Sequence, residues 1–303
     1  MFPLFNTMKL TFLGTGSMIP TKDRNHSGIF LENSGEGLLL DCGEGTQRQL
    51  RIAKIRPTRI TKILITHWHG DHVLGLPGLI QTLGAMNYDK TLEVYGPIGT
   101  KKYLKRMLNS FIMDVKIKFK VIDVKGGKFY ESEDYILKSL PLNHSVTCLA
   151  YAFIEKDKFN INKAYIQKLG LKPGPLLKDL KSGKDVKWYN KVVKAKNATY
   201  LKKGKKIVYV TDTVYFNEIS KFAKCADLFI CEATLSNELK QKAKEIKHMT
   251  AVEAARLAKS AKVKKLVLTH FSQRYKSVTK LKKESVNIFK NTGCAKDFMR
   301  LTI

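Results

Sequence analysis

Residues 66–72, with the sequence THWHGDH, contain three imidazoles and one carboxylate. Imidazole nitrogen and carboxylate oxygen are the ligands that zinc prefers when thiolate is absent. His67 and His69 are two residues apart, so their rings fall on the same side of an extended chain. Asp71 and His72 follow at the next turn. The spacing therefore predicts a loop that gives ligands to two neighbouring metals, and the chain's scarcity of histidine (seven in all) argues against ordinary surface residues.

Three further candidate ligands follow predicted strands elsewhere in the chain, at His144, Asp212 and His270. Asp212 ends its own strand and is suited to bridge two ions. The predicted set is His67, His69 and His144 for one metal, Asp71, His72 and His270 for the second, and Asp212 for both.

Two divalent ions about 3.5–4 Å apart lower the pKa of a shared water and stabilise attacking and leaving oxygens. The predicted ligands include no cysteine, which suits phosphate chemistry. The residues therefore predict phosphodiester hydrolysis with two Zn2+, with Mn2+ or Fe as alternatives. Asp71 can accept the proton of the attacking water. His248, oriented by Glu232, can protonate the leaving oxygen, and the alternative for His248 is a plain surface histidine.

The metal-binding loop follows the apolar run 62–65, which is typical of a buried strand that ends at an active-site loop. Residues 264–268 precede Thr269 and His270 in the same way, which suggests an internal repeat. Residues 115–123 alternate between apolar side chains and lysines and predict a half-buried strand. Strands alternating with helices in each half predict an α/β fold, a four-layer αββα sandwich with ligands at strand ends along one edge.

Composition bounds the class of protein. The 303 residues are 44% hydrophobic, as in a soluble globular protein, and no apolar run approaches the roughly twenty residues of a membrane span. The first residues do not have the pattern of a secretory signal. Five cysteines without CxxC spacing predict free thiols in a reducing cytosol, hence a cytoplasmic protein.

The chain is strongly basic, with 55 Lys and Arg against 26 Asp and Glu and a formal net charge of +29. Such an excess indicates a polyanionic partner, most plausibly nucleic acid. The alternative is a solvated lysine-rich surface that reflects a biased proteome.

Residues 156–206 differ from the rest because they are rich in lysine and contain Gly-Pro segments. We predict one domain over residues 1–303, with an exposed, flexible arm inserted at 156–200. A disordered linker is the alternative, although Trp188 and Tyr189 favour some folding.

From Met8 onward the sequence resembles the ribonuclease Z family of the metallo-β-lactamase superfamily. The resemblance rests on motifs distributed along the chain. They are residues 12–16 (FLGTG), 20–25 (PTKDRN), 41–47 (DCGEGTQ), 66–72 (THWHGDH), 143–144 (NH), 211–213 (TDT), 231–234 (CEAT), 248–250 (HMT) and 269–275 (THFSQRY). Met249 departs from the Ser or Gly that is common after that histidine.

The resemblance implies a metallo-β-lactamase fold and a zinc-dependent endoribonuclease that removes the 3′ trailer of precursor tRNA and leaves a 3′-hydroxyl. It assigns general-base work to Asp71 and protonation of the leaving group to His248, supported by Glu232. It also implies a homodimer and makes the arm an RNA-binding exosite. The candidate RNA contacts are Lys22, Arg24 and Arg274 near the metals, and Lys172, Lys178, Lys181 and Lys184 in the arm.

Two rival functions remain open. One is another hydrolase of the superfamily, such as a phosphodiesterase, arylsulfatase or lactonase, which would not need the basic arm. The other is a nucleic-acid-binding protein with a structural metal site, which would be closed and mononuclear.

Overall fold

A computed structural model of the protein describes residues 8–112 and 117–303. The chain divides into two compact units. Of the described residues, the larger unit comprises those up to 130, residues 137–153 and residues 206–303, and the smaller comprises 131–136 and 154–205.

The strands within the described residues are numbered in chain order. They are β1 (Lys9–Gly14), β2 (Gly16–Ser17), β3 (Gly28–Asn33), β4 (Glu36–Leu40), β5 (Ile60–Leu64), β6 (Thr91–Pro97), β7 (Lys118–Val124), β8 (Gly127–Glu131), β9 (Tyr135–Leu142), β10 (Cys148–Glu155), β11 (Lys158–Ile161), β12 (Val186–Trp188), β13 (Lys191–Val193), β14 (Thr199–Lys202), β15 (Lys206–Val210), β16 (Leu228–Glu232), β17 (Leu266–Thr269), β18 (Phe271–Ser272), β19 (Thr292–Cys294) and β20 (Arg300–Thr302).

The α-helices of the same residues are numbered likewise, and short 3₁₀ turns lie at Pro57–Arg59 and Asn237–Leu239. The helices are α1 (Thr46–Ile52), α2 (Gly70–Val73), α3 (Leu76–Ala85), α4 (Thr100–Asn109), α5 (Lys163–Lys168), α6 (Pro175–Lys181), α7 (Ala195–Ala198), α8 (Asn217–Phe222), α9 (Lys240–Glu245), α10 (Ala251–Ser260) and α11 (Thr279–Val286).

Two large sheets organise the fold. The strand orders are β20-β1-β3-β4-β5-β6-β7 and β19-β17-β16-β15-β10-β9-β8. Neighbours from β4 to β7 are parallel, and so are β15, β16, β17 and β19. Because parallel strands end at the same edge of a sheet, each sheet brings several strand ends together, which is where α/β proteins bind ligands.

The sheets face each other across an apolar interior. Leu38 and Leu64 of the first sheet line the same small cavity as Tyr151 and Tyr209 of the second. Burying these side chains on both faces removes apolar surface from water, which is the main force that stabilises the sandwich.

Helices cover the outer faces. Residues of α1 and α3 pack with the first sheet, where Leu50 and Leu79 join Ile63 and Val94 in one buried cluster. Helix α10 packs on β16 and β17, and α11 on β19. The four-layer αββα sandwich predicted from the sequence is therefore confirmed.

The predicted strand at 115–123 is observed as β7. Residues 115 and 116, where the prediction begins, lie outside the described residues.

Within residues 8–112 and 117–303, no helix combines the length and apolarity that a membrane crossing requires.

The smaller unit contains the predicted insertion and has its own elements. Strand β11 pairs with β14, β12 pairs with β13, and α5, α6 and α7 lie between them in sequence. Its helices and hairpin share a buried apolar cluster. The cluster consists of Ile166, Leu171, Leu180, Val186, Val193, Ala195 and Ala198. The predicted bounds 156–200 fall inside the observed unit, and its action as a flexible arm stays a prediction.

Candidate metal centre

The predicted ligands follow the ends of four strands. His67 and His69 come after β5, and His144 comes two residues after β9. Asp212 and His270 follow the parallel strands β15 and β17. The topology thus explains how residues far apart in sequence reach one place.

The first predicted group is close-packed. His67 Nε2 lies 3.0 Å from His69 Nδ1, and His144 Nε2 lies 3.3 Å from the same atom. These three residues and Asp212 each offer one ligand atom, all within 4.8 Å of one another.

The second predicted group is equally compact. His72 Nε2 and His270 Nε2 are 3.3 Å apart. Asp71 Oδ2 lies 3.4 Å from the former and 3.5 Å from the latter. The structure therefore brings together the three residues predicted for a second ion.

Asp212 lies between the two groups, and each of its oxygens faces one of them. Oδ1 is 3.5 Å from His72 Nε2 and 3.3 Å from His270 Nε2. Oδ2 is 3.6 Å from His67 Nε2 and 3.8 Å from His144 Nε2. This is the arrangement that a carboxylate bridging two cations requires. Burial raises the pKa of Asp212, but the surrounding imidazoles outweigh it and hold that pKa well below its usual value.

In His72 and His144 the outer ring nitrogen is engaged elsewhere, which leaves the inner one for a cation. His72 Nδ1 donates to Asp41 Oδ2 at 2.8 Å, and His144 Nδ1 donates to the backbone oxygen of Lys247 at 3.0 Å. Such partners fix the tautomer and the ring orientation of a metal-binding histidine. Converging imidazole nitrogens and carboxylates without thiolate fit a zinc-type ion.

Asp41 is a buried residue beside the centre that the sequence analysis did not single out. It is fully buried and accepts hydrogen bonds from the Thr66 amide at 2.8 Å, the Thr66 hydroxyl at 2.9 Å and the Tyr209 hydroxyl at 3.0 Å, besides His72. The signal available in the sequence was a carboxylate directly after the apolar strand β4. Because β5 is parallel to β4, Thr66 lies beside the end of β4, where this carboxylate can accept its hydrogen bonds.

Three residues of the centre have left-handed backbone conformations. The φ angles are +57° at Asp41, +38° at Asp212 and +58° at His270. Non-glycine residues rarely adopt such angles, which cost about 1–2 kcal/mol each. The surrounding hydrogen bonds hold this strain in place.

His248 and Glu232 form the predicted dyad. His248 Nδ1 donates to Glu232 Oε2 at 3.1 Å, and His248 Nε2 points to the cluster, 3.9 Å from Asp212 Oδ2. Glu232 is fully buried and also accepts from the Thr213 amide at 2.7 Å and the Thr234 hydroxyl at 2.6 Å. His248 lies two residues before Thr250, whose capping box starts α10.

Charge sets the protonation of this dyad. Burial lowers the pKa of His248, but the carboxylates of Glu232, Asp212 and Asp71 outweigh it and raise the pKa to about 9. Burial raises the pKa of Glu232, and the positive charge and hydrogen bond of His248 bring it below its usual value. The dyad is therefore an imidazolium–carboxylate pair at neutral pH.

Asp71 is held by the loop that follows β2. Its Oδ2 accepts a hydrogen bond from the Met18 amide at 2.8 Å. Burial raises the pKa of Asp71, but the charges and hydrogen bonds of His72 and His270 outweigh it and keep the carboxyl ionised. Asp71 is thus a fixed anion at the edge of the cluster.

The chain is similar to known proteins over nearly its full length. The ribonuclease Z of Methanothermobacter thermautotrophicus is 40% identical over 297 residues, which cover 98% of this chain and 97% of that protein. The chain belongs to the ribonuclease Z family. The ribonuclease Z of Pyrococcus horikoshii is 39% identical over 300 residues, covering 98% and 96% of the two chains.

A solved structure and two family models also match the chain. The crystal structure of the short form of human tRNase Z has a TM-score of 0.72 and 29% identity, covering 97% of this chain and 99% of that one. The family described as "Anti-Pycsar protein Apyc1" matches residues 8–163, and the "Beta-lactamase superfamily domain" matches residues 186–271. The resemblance found in the sequence is confirmed.

The basic residues predicted to contact RNA near the centre of this ribonuclease Z family member differ in exposure and in their hydrogen bonds. Lys22 and Arg274 are exposed. The Arg24 guanidinium instead donates to the backbone oxygens of Ser272 and Lys276, both at 3.4 Å, and to that of Tyr275. Arg24 thus braces the loop that carries Arg274, and its contact with RNA stays a prediction.

The lysines predicted to bind RNA in the insertion are all exposed and all lie in the smaller unit. They are Lys172, Lys178, Lys181 and Lys184.

Proposed function

We propose that the protein is an endoribonuclease that removes the 3′ trailer from precursor tRNA and leaves a 3′-hydroxyl on the tRNA. The observation that carries the proposal is the convergence of two histidine–aspartate groups on Asp212, in a chain of the ribonuclease Z family. A bridged pair of cation sites suits phosphodiester hydrolysis, because two charges can stabilise both the attacking and the leaving oxygen. The formal charge of +29 supports an RNA substrate.

The donor set supports two Zn2+ per subunit, with Mn2+ or Fe as alternatives. When bound, the ions supply positive charge to the phosphate oxygens and a water of lowered pKa. The residues that would hold them are His67, His69 and His144 for one, Asp71, His72 and His270 for the other, and Asp212 for both.

Asp71 is proposed as the general base. Its carboxylate is ionised, is fixed by the Met18 amide, and lies beside both His72 and His270. A carboxylate in this position can take the proton of an attacking water as the bond to phosphorus forms.

His248 is proposed as the general acid. Because its pKa is raised to about 9, its imidazole is protonated at neutral pH and can donate a proton to the departing O3′. Glu232 orients the ring through Nδ1, and Nε2 points to the cluster.

The remaining parts of the proposal concern assembly and location. We propose a cytoplasmic homodimer in which the insertion of one protomer, residues 156–200, grips the tRNA cut by its partner. The exposed lysines of the insertion support an RNA-binding role, because lysine side chains neutralise phosphates.

The test is cleavage of an end-labelled precursor tRNA with a 3′ trailer, mapped to the nucleotide, for the wild type and Asp71→Ala. We expect a single metal-dependent cut near the acceptor stem that the variant loses. The matched control is Asp23→Ala, because Asp23 is an exposed carboxylate on a loop outside the two groups.

Two outcomes would contradict the proposal. Hydrolysis of model diesters without any cut in precursor tRNA would leave another hydrolase of the superfamily. Tight RNA binding without turnover, at one metal per chain, would favour a binding protein with a structural site.

A further inference from the structure

The hairpin of the smaller unit ends in an unusual turn. Strands β12 and β13 pair with Trp188 opposite Lys191, so the turn consists of Tyr189 and Asn190 alone. Tyr189 has a φ of +50°, and 86% of its surface is exposed.

Folding gives little reason for tyrosine at this position beyond the contact of its ring with Trp188. Two-residue hairpin turns with positive φ favour Asn, Asp or Gly, and a bulky side chain there is strained. Because the ring is exposed, its burial offsets little of the free energy that the strain costs. A strained residue whose side chain remains exposed is a candidate for a binding role.

A cleft of about 290 Å3 adjoins this turn. Its size is near the lower end of small-molecule pockets, which fits one ring system. Trp188 forms part of its wall and is fixed in place, because its indole Nε1 donates to the backbone oxygen of Leu169 at 2.9 Å. The rings of Trp188 and Tyr189 meet at 71° with centroids 4.8 Å apart. Together they form an aromatic corner in which the Trp188 ring is held in place.

The surroundings of the corner are basic. Lys168 and Lys191 line the cleft, and both are exposed. Residues 163–196 carry ten lysines but only two acidic residues, Asp179 and Asp185. Asp185 is already engaged, since it accepts a hydrogen bond from the Ala195 amide at 2.8 Å. An aromatic face bordered by cations is complementary to a nucleobase with its flanking phosphates.

We propose that this corner is a nucleobase-binding subsite, in which a base of the RNA that is unpaired or exposed at a helix end stacks on Tyr189. Lys168 and Lys191 neutralise the phosphates on either side of that base. The inference deepens the proposed function, because it takes RNA to be the substrate. In a purely electrostatic arm only the lysines would contribute binding free energy, whereas in this proposal the ring of Tyr189 contributes as well.

The experiment measures KM and kcat of the metal-loaded full-length enzyme on a precursor tRNA with a 3′ trailer. A stacked base contributes enough binding free energy for Tyr189→Ala to raise KM about tenfold. Tyr189→Phe keeps the ring and should keep the KM. Tyr200→Ala is the matched control, because Tyr200 is 50% exposed on β14 of the same unit and does not line the cleft. Hydrolysis of bis(p-nitrophenyl) phosphate should be unchanged in all three variants.

Tyr189→Gly separates stacking from a structural role. Glycine adopts a positive φ without strain, so this variant should unfold at the same or a higher temperature while its KM rises as in Tyr189→Ala. If Tyr189 had only a structural role, KM would not rise in a variant that unfolds at or above the wild-type temperature.

An unchanged KM in Tyr189→Ala, or an equal rise in Tyr200→Ala, would overturn the subsite while leaving the proposed function intact. A wild-type enzyme that hydrolyses the small diester but not precursor tRNA would instead overturn the proposed function.

Discussion

Two buried carboxylate–histidine pairs, one in each half of the chain, serve the same centre. Asp41 and Glu232 are both fully buried at the end of a strand, and each accepts a hydrogen bond from the Nδ1 of a histidine. Each carboxylate is also bonded to a threonine hydroxyl, of Thr66 in one case and Thr234 in the other. The chemical unit is the same on both sides.

The two histidines differ in what their second nitrogen meets. His72 is fully buried, and its Nε2 lies among the ligand atoms of the second group. The side chain of His248 is 12% exposed, and its Nε2 lies at the rim, 3.9 Å from Asp212. The comparison teaches that exposure at the rim, not the carboxylate partner, separates the proposed proton donor His248 from the proposed metal ligand His72.

The strongest test of this distinction is His248→Ala. Loss of a general acid should reduce kcat on precursor tRNA about 10²–10⁴-fold, because the leaving oxygen must depart without a proton. Metal content, measured by plasma emission spectrometry, should equal that of the wild type. Loss of metal would instead make His248 a ligand, as its proximity to Asp212 and His270 also permits.

The next largest effect is expected for Asp41→Asn. Removing the anion that orients His72 should weaken metal binding about 10–100-fold, since second ligand-shell partners contribute that much. Competition with a metal-binding dye measures the affinity, and excess Zn2+ should restore cleavage. Glu232→Gln is the control and should retain its metal. Equal losses of metal affinity in both variants would show that the two carboxylate–histidine pairs do not differ in this respect.

Glu232→Gln should instead shift the pH dependence. Activity that needs protonated His248 is present at low pH and is lost as the pH rises through about 9. Without the charge of Glu232 the pKa of His248 falls toward its ordinary value near 6.5, so the loss occurs at lower pH and reaches about tenfold or more at pH 8. The measurement is the pH profile of kcat, and an unshifted alkaline limb would contradict the role given to Glu232.

The smallest effect is expected for Thr250→Ala, which removes the capping box that follows His248. Losing this cap should lower the free energy of unfolding by about 1 kcal/mol, with little change in metal affinity. Denaturant unfolding followed by circular dichroism measures it, and Thr250→Ser is the conservative control. A much larger loss of kcat than of stability would show that the start of α10 also positions His248.

The sequence was most informative where the proposed ligands lie close together in the chain. Spacing alone predicted the first four, because a strand end and one short helix place them within a few residues of each other: His67, His69, Asp71 and His72. The position directly after an apolar strand predicted the other three, which are His144, Asp212 and His270. The sandwich followed from the alternation of strands and helices.

What the sequence did not reveal depends on contacts between distant segments. Asp41 and Tyr209 are 168 positions apart, and only the facing of two sheets brings them together. Arg24 was expected to face phosphate, but its guanidinium meets carbonyls about 250 residues away. In the smaller unit, Gly and Pro suggested an arm without rigid elements, whereas apolar residues such as Leu180 and Val193 are buried together.

The left-handed backbone at Asp41, Asp212 and His270 has a consequence for how this protein can change over generations. Aspartate, asparagine and histidine tolerate a positive φ better than most residues, so the backbone as well as the chemistry limits which residues can replace them. Glycine would relax the backbone at Asp41, but it would leave the buried donors of Thr66, His72 and Tyr209 without their acceptor, at a cost of about 1–3 kcal/mol per group. Drift at Asp41 should therefore be slow even in a population where selection acts on stability alone.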